Sequence, residues 1–353
     1  MKTTAMVLLM LACSLFFSSC SKTADDKFPE QYTYSEIYSM NVDGTGLTKL
    51  TSDKKDIAFM QYLPKSDKIL FVQDSGTYIM NPDGSQRQLL SAKSINKSTR
   101  VTQDEQTAYF FEDETSGLKV NSTLYSMSLS TGEVKQIVQE SSHIVRLGIS
   151  MDGSQLMYST YLPAPDTSVL YLLNTLTLEK KRIKEWTNTL YCDFPQFIPN
   201  SSQILFFEKI DSISNNAYLR VMDLADTSNN QILDTANIYY ERTYPALNSK
   251  SEIFYAKNGI TVLDVATNQK TAIPSMFRSD YDFSSWSYEG TKLIVTNNDS
   301  YPTQMVIYAP SDGSVVNIKP SVGTINAAYT YPYLNFNNTK IFFIVSFTET
   351  IWI

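Results

Sequence analysis

The chain contains one histidine, His143. That composition leaves out HExxH metal sites, histidine-rich zinc or iron sites and any triad using two histidines. His143 stands before the apolar Ile144, Val145 and Leu147, so it reads as an exposed or hydrogen-bonded loop residue. Gly148-Ile149-Ser150-Met151-Asp152 comes near the elbow that presents a nucleophilic serine, but that motif needs glycine where Asp152 stands. Asn41-Val42-Asp43-Gly44-Thr45 and Asn81-Pro82-Asp83-Gly84-Ser85 place oxygen ligands at alternate positions, as calcium loops do. Neither has the distal glutamate of such a loop; turn chemistry accounts for both, and no metal or cofactor is expected. The 36 Asp and Glu residues guarantee that some carboxylate pair is available for glycosidic cleavage, so composition selects none, and no catalytic residue is assigned. Recognition is what remains. Seven positions before a series of recurring tight turns stand Val145, Asp193, Arg242, Asp282 and Thr330, and Tyr191, Tyr239, Tyr240, Tyr281, Tyr329 and Tyr331 cluster around them. Tyr329, Tyr331 and Tyr333 alternate and should share one strand face. Tyrosines beside Asp and Arg suit a sugar or a peptide, through stacking and directed hydrogen bonds. Two readings stand: a ligand-binding rim of Asp193, Arg242, Asp282, Tyr191, Tyr240, Tyr281 and Tyr329, or tyrosines that fill the space between packed sheets.

The elements that must position these residues are strands. The turns Lys65-Ser66, Asp104-Glu105, Asp152-Gly153, Asn200-Ser201, Ser249-Lys250, Glu289-Gly290 and Asn337-Asn338 recur at roughly 40–50-residue intervals, the range of propeller repeats. After each comes an apolar run, such as Ile204-Leu205-Phe206-Phe207 or Ile341-Phe342-Phe343-Ile344-Val345, which fits a strand buried on both faces. A lone four-stranded sheet leaves its faces uncovered, whereas a ring of them buries each face against the next. The expected fold is therefore all-β, a β-propeller of four-stranded blades. Seven blades fit the spacing best, with six or eight as alternatives. The N-terminal strands at 36–51 would complete a blade begun by 328–346. Thr350-Ile351-Trp352-Ile353 looks like the first strand of a further unit and competes for the same place. The innermost strand of each blade, which precedes its turn, would line a central channel.

Asn81-Pro82-Asp83-Gly84 and Ile198-Pro199-Asn200-Ser201, with Gly148-Ile149-Ser150-Met151-Asp152-Gly153, resemble the turn elements of TolB-like, WD40-like propeller repeats over about residues 36–346. The resemblance implies a fold and leaves function open. TolB itself carries an additional α/β domain, for which there is no room before residue 36. Propeller lyases that hold a metal with several histidines do not match a chain with one. Propeller peptidases append an α/β-hydrolase domain, which the residues after 346 are too few to supply.

At the N-terminus, Lys2 precedes an apolar stretch at 5–17 and the small Ser18 and Ser19, the layout of an export signal and too short for a comfortable membrane span. Phe17-Ser18-Ser19-Cys20 resembles the lipobox of bacterial lipoproteins, although leucine is the usual first residue. The resemblance implies cleavage after residue 19, lipidation of Cys20 and anchoring in a membrane. Residues 20–35 would be the lipidated cysteine and a polar tether, and 36–353 the propeller. Ser21 after the cysteine favours the outer membrane, and Asp25-Asp26 resembles a surface-export signal, so the domain would face the periplasm or the exterior. Once Cys13 leaves with the signal and Cys20 carries lipid, only Cys192 remains and no intrachain disulfide can form. A formal charge of −7, made more negative by loss of Lys2, disfavours nucleic acid as a partner.

Together these features define a non-catalytic cell-envelope lipoprotein whose propeller face binds a protein, peptide or glycan of the envelope. The rivals are a carboxylate-based glycosidase or lyase acting on envelope or extracellular polysaccharide, and a structural subunit of an outer-membrane complex.

Overall fold

The computed structural model describes residues 29–352, except for 97, 117–118, 163–166, 188–191, 210–215, 238–245, 258–259, 274–283, 298–303 and 323–327. Two units result: the termini up to Thr33 and from Thr348, and the body Tyr34–Phe347. The described part of the first unit consists of strand ends, with 31–33 exposed. All that follows concerns the body.

Every element among the described residues is a strand, and the strands form seven antiparallel sheets of four. The first blade is Ile57–Leu63, Lys68–Gln73, Gly76–Met80 and Gln88–Ser91, hydrogen-bonded in that order. Five more blades follow in chain order. The seventh is composite: Ala328–Leu334 and Lys340–Trp352 pair with Pro29–Asn41, which pairs with Thr48–Lys49. Chain ends therefore close the ring, and seven is the blade number. Ser35 and Ser346 hydroxyls meet at 3.1 Å across the closure, and the Val42 N–H donates to the Thr339 carbonyl at 3.0 Å.

Thr350, Ile351 and Trp352 begin no further unit, because they continue the strand Lys340–Trp352. Phe347-Thr348-Glu349 carries no Gly, Pro, Asn or Asp to turn the chain, so the strand runs on and the expected competition for one slot does not arise. The strand Pro29–Asn41 likewise begins within the segment expected to be tether.

The closing strand shows why the apolar runs do not alternate with polar residues. Ile341, Phe343, Val345 and Phe347 pack with Ile294, Met305 and Ile307 of the sixth blade. Phe342 and Ile344 turn the other way, onto Ile57, Met60, Tyr62 and Phe71 of the first. Seven such apolar clusters occur, one between each pair of neighbouring blades. A fully buried side chain of this size contributes roughly 1.5–3 kcal/mol, so the interfaces hold the ring. Cys192 belongs to one of them, buried and unpaired, its thiol pKa pushed up by burial.

Polar pins cross the same interfaces. The Tyr158 hydroxyl donates to Glu140 of the preceding blade at 2.5 Å, and Tyr255 does the same to Asp234 at 2.6 Å. Asp234 also receives Lys257 and lies 3.4 Å from Lys270. Burial works to raise its pKa, but Lys257, the Tyr255 hydroxyl and the Thr235 N–H outweigh it and hold the carboxyl at about 2. A carboxyl depressed in the folded state stabilises the fold above its unfolded value and loses that contribution as pH falls through the folded one. The pin should therefore supply about 2 kcal/mol at neutral pH, disappearing between about pH 4 and pH 2. Urea titrations across that range should show a shallower acid limb for Asp234→Asn than for the wild type.

Candidate functional site: the central cavity

The innermost strands are Ile57–Leu63, Arg100–Val101, His143–Ile149, Cys192–Phe197, Ala246–Leu247, Ser284–Trp286 and Ala328–Leu334. Their hairpin-turn ends surround a cavity of about 1220 Å³. Four of the seven are irregular, with register shifts at Ile57/Phe59, Ile144/Arg146, Asp193/Gln196 and Thr330/Tyr333. Such bulges bend a strand and re-aim its side chains. In two of them an aromatic residue before proline takes a left-handed conformation: Phe194 at φ 48° before Pro195, and Tyr331 at φ 50° before Pro332. The outcomes differ. Phe194 is buried beneath Arg146, whereas Tyr331 lines the cavity, with its ring 5.5 Å from Phe59 in an edge contact.

One residue of each innermost strand, four positions before its turn, forms a ring within the lining: Gln61, Arg100, Gly148, Gln196, Ser285 and Tyr333 among the described residues. Hydrogen bonds stitch neighbouring strands at this level. Gln196 Oε1 accepts the Leu247 N–H at 2.8 Å, and Ser285 Oγ donates to the Pro332 carbonyl at 2.6 Å. Gly148 faces the Pro195 carbonyl so closely that a Cβ there would lie 2.2 Å from its oxygen.

The lining is amide, hydroxyl and aromatic in character, with Trp286, Phe197 and Tyr288 beside the residues already named. Arg100 is the only cation and Asp152 the only carboxylate among the described lining residues. Asp152 accepts from the Ser150 and Ser154 hydroxyls at 2.6 and 2.8 Å, which hold its pKa low and keep it ionised in its turn. Burial pushes the Tyr333 phenol up to about 12 against the opposing charge of Arg100, so at neutral pH it is a hydrogen-bond donor. This wall can bind amides and hydroxyls and stack on rings. A pair of carboxylates for acid–base work is not among its described residues.

The residues singled out in the sequence fall elsewhere. Asp193 is buried on its innermost strand, 3.3 Å from the Arg146 guanidinium of the preceding blade, and it accepts the Phe194 N–H at 2.9 Å. It pins two blades together. Tyr329 fills the interface between the sixth and seventh blades, edge-on to Phe343 at 5.6 Å, and its hydroxyl donates to the Pro320 carbonyl at 3.1 Å. These two lie in different blades and do not meet. Tyr329, Tyr331 and Tyr333 do not share one face, because the bulge breaks their alternation and leaves the latter two in the cavity wall. Tyr191, Tyr240, Tyr281, Arg242, Asp282 and Cys20 lie outside the described residues. His143 is half-exposed beside Asp113, Nδ1 to Oδ2 3.3 Å. Asp43 and Asp83 accept from Thr45 and Ser85 within their own turns. The signal for the cavity was present in the sequence as an offset: its ring stands four residues before each turn rather than seven.

No family model matches the chain, and no curated protein sequence does either. Solved structures do. An oligogalacturonate lyase from Vibrio parahaemolyticus aligns with a TM-score of 0.62 at 12% identity, over 90% of this chain and 98% of its own. A prolyl endopeptidase studied for inter-domain dynamics aligns at 0.57 and 11% identity, over 86% of this chain and 49% of its own. TolB from Acinetobacter baumannii aligns at 0.49 and 16% identity, over 70% and 65%. At such identities the first two likenesses establish the fold alone. The protein is thus a seven-bladed β-propeller with an open, largely uncharged cavity at the hairpin-turn end of its ring.

Proposed function

We propose that this propeller is a non-catalytic binding protein of the cell envelope, exported and held to the outer membrane by lipid on Cys20, with an extended segment of a partner protein as its ligand at the central cavity. The observation that carries this reading is the cavity wall. Gln and Asn side chains can pair with peptide amides, Trp286, Tyr331 and Tyr333 offer ring surfaces, and the described lining has one carboxylate already engaged in its turn. Wide, preformed and polar-aromatic, it suits recognition better than proton transfer. No cofactor is required. Panning a random peptide library on the purified protein should yield a family of related peptides. Trp286→Ala should weaken their binding at least tenfold by fluorescence anisotropy with thermal stability preserved; unrelated peptides indifferent to that substitution would remove the reading.

Cleavage of an acidic polysaccharide is the second reading. Arg100 set beside Tyr331, Tyr333 and Trp286 would hold a uronate, and the Vibrio parahaemolyticus neighbour is an oligogalacturonate lyase. Incubation with pectic and envelope polysaccharides should release no unsaturated or reducing ends; a release abolished by Arg100→Ala would favour the enzyme.

A further inference from the structure

Antiparallel blades send the turn between their first and second strands and the turn between their third and fourth to the same end of the ring. The cavity opens there. Two features coincide on that face. First, large apolar side chains stand in its turns: Met151 is 41% exposed in the third blade, with Tyr288 at 36% and Phe336 at 43% in the sixth and seventh. The last two rings meet at 5.2 Å, and both Met151 and Tyr288 line the cavity mouth. The mouth therefore has apolar lips on opposite sides of the ring. Leu176, 85% exposed, extends the patch outward from Met151, because its neighbour Thr175 bonds to the Gly153 and Ser154 carbonyls. Exposed apolar groups gathered at one opening mark an interaction surface rather than the usual scatter.

Second, every blade places a carboxylate in its outer turn on this face: Asp43, Asp83, Glu133, Glu179, Asp226, Asp264 and Asp312. Hydrogen bonds from Thr45, Ser85, Ser228 and Ser314 hold four of them below the ordinary carboxylate range. Apolar lips within an acidic perimeter are complementary to an apolar residue flanked by cations.

From this complementarity we infer that the cavity face docks a basic protein segment, in which an aliphatic or aromatic side chain enters between Met151 and the Tyr288–Phe336 pair while flanking Lys or Arg residues face the ring of carboxylates. The inference rests on the peptide-binding reading above and names the chemistry of its partner. The carboxylate ring steers the segment and sets its salt dependence, and the lips and cavity hold it.

The test uses three labelled hexapeptides with the same Trp-Leu centre, flanked by lysines, glutamines or glutamates. Anisotropy should show the lysine peptide binding at least tenfold tighter than the glutamine one, with several-fold weakening between low salt and about 0.15 M. The glutamate peptide should bind weakest. Replacing Glu133 and Glu179 by Gln and Asp226 and Asp264 by Asn, which keeps the Asx acceptors of the turns, should remove most of that preference. Asp74→Asn with Glu114→Gln, at the other end of the strands, should not. Equal binding of the lysine and glutamine peptides overturns the basic partner and leaves the cavity reading intact. A loss shared equally by both sets of variants overturns it as well, since attraction would then belong to the whole acidic surface. If no peptide binds and library panning also fails, the cavity reading falls too.

Discussion

Gly148→Val should lose more than about 3 kcal/mol of stability, enough to unfold a marginal domain at moderate temperature. Gly148 lies where the innermost strands of the third and fourth blades come together. A Cβ would sit 2.2 Å from the Pro195 carbonyl oxygen and 3.0 Å from its carbon, and both are backbone atoms that no rotamer change can move. Relief requires the two strands to part, which disturbs Arg146 against Asp193 and the bulge at Phe194. Gly148→Ala should show the same defect to a smaller degree. Chemical denaturation with paired measurements of peptide binding would check both, since the strand shift also deforms the cavity wall that Gly148 and Gln196 share.

Glu208→Ala should cost about 3–5 kcal/mol, the range for breaking one side of a buried ion pair. Glu208 lies between the third and fourth blades and accepts the Trp186 indole N–H at 2.6 Å. Lys184 approaches to 3.3 Å, and Arg220 bonds to its second oxygen. Burial tends to raise its pKa, but these donors prevail and hold it lowered. Without the carboxylate, two cations and an indole N–H are left in an interface with little water. Glu208→Gln keeps an acceptor for Trp186 and should recover part of the loss in equilibrium denaturation.

The fold was legible because its determinants are local and repeated. Asp-Gly and Asn-Ser turns followed by runs such as Ile204-Leu205-Phe206-Phe207 specify hairpins whose second strand is buried on both faces, and their spacing sets the blade number. Ring closure was legible only in part. That Thr350–Trp352 prolongs a strand follows from the missing turn residues after Phe347, a weaker signal than the apolar character that suggested a new unit.

The site was harder for a physical reason. Alternation predicts which face a residue takes only while the strand stays regular, and four innermost strands carry bulges. One extra residue at Thr330/Tyr333 sent Tyr329 into a blade interface and Tyr331 and Tyr333 into the cavity. Chemistry misled too. Asp193 was conspicuous as a charge, yet its charge is used up by Arg146 of the neighbouring blade, while neutral Gln61, Gln196 and Ser285 line the opening. Pairing across blades joins residues far apart in the chain, so no local pattern announces it.

The most direct test of the binding role is site-specific photo-crosslinking in living cells of a Gram-negative host. A benzophenone amino acid would be placed at Tyr288, Phe336 or Met151 around the cavity mouth, and at Asp74 or Glu114 at the other end of the strands. Mouth positions should each give the same adduct, identified by mass spectrometry as a basic segment of one partner and lost on Trp286→Ala, while the distant positions give none. Adducts of equal yield from both ends, or none from the mouth, would contradict a propeller that works by binding at its central cavity.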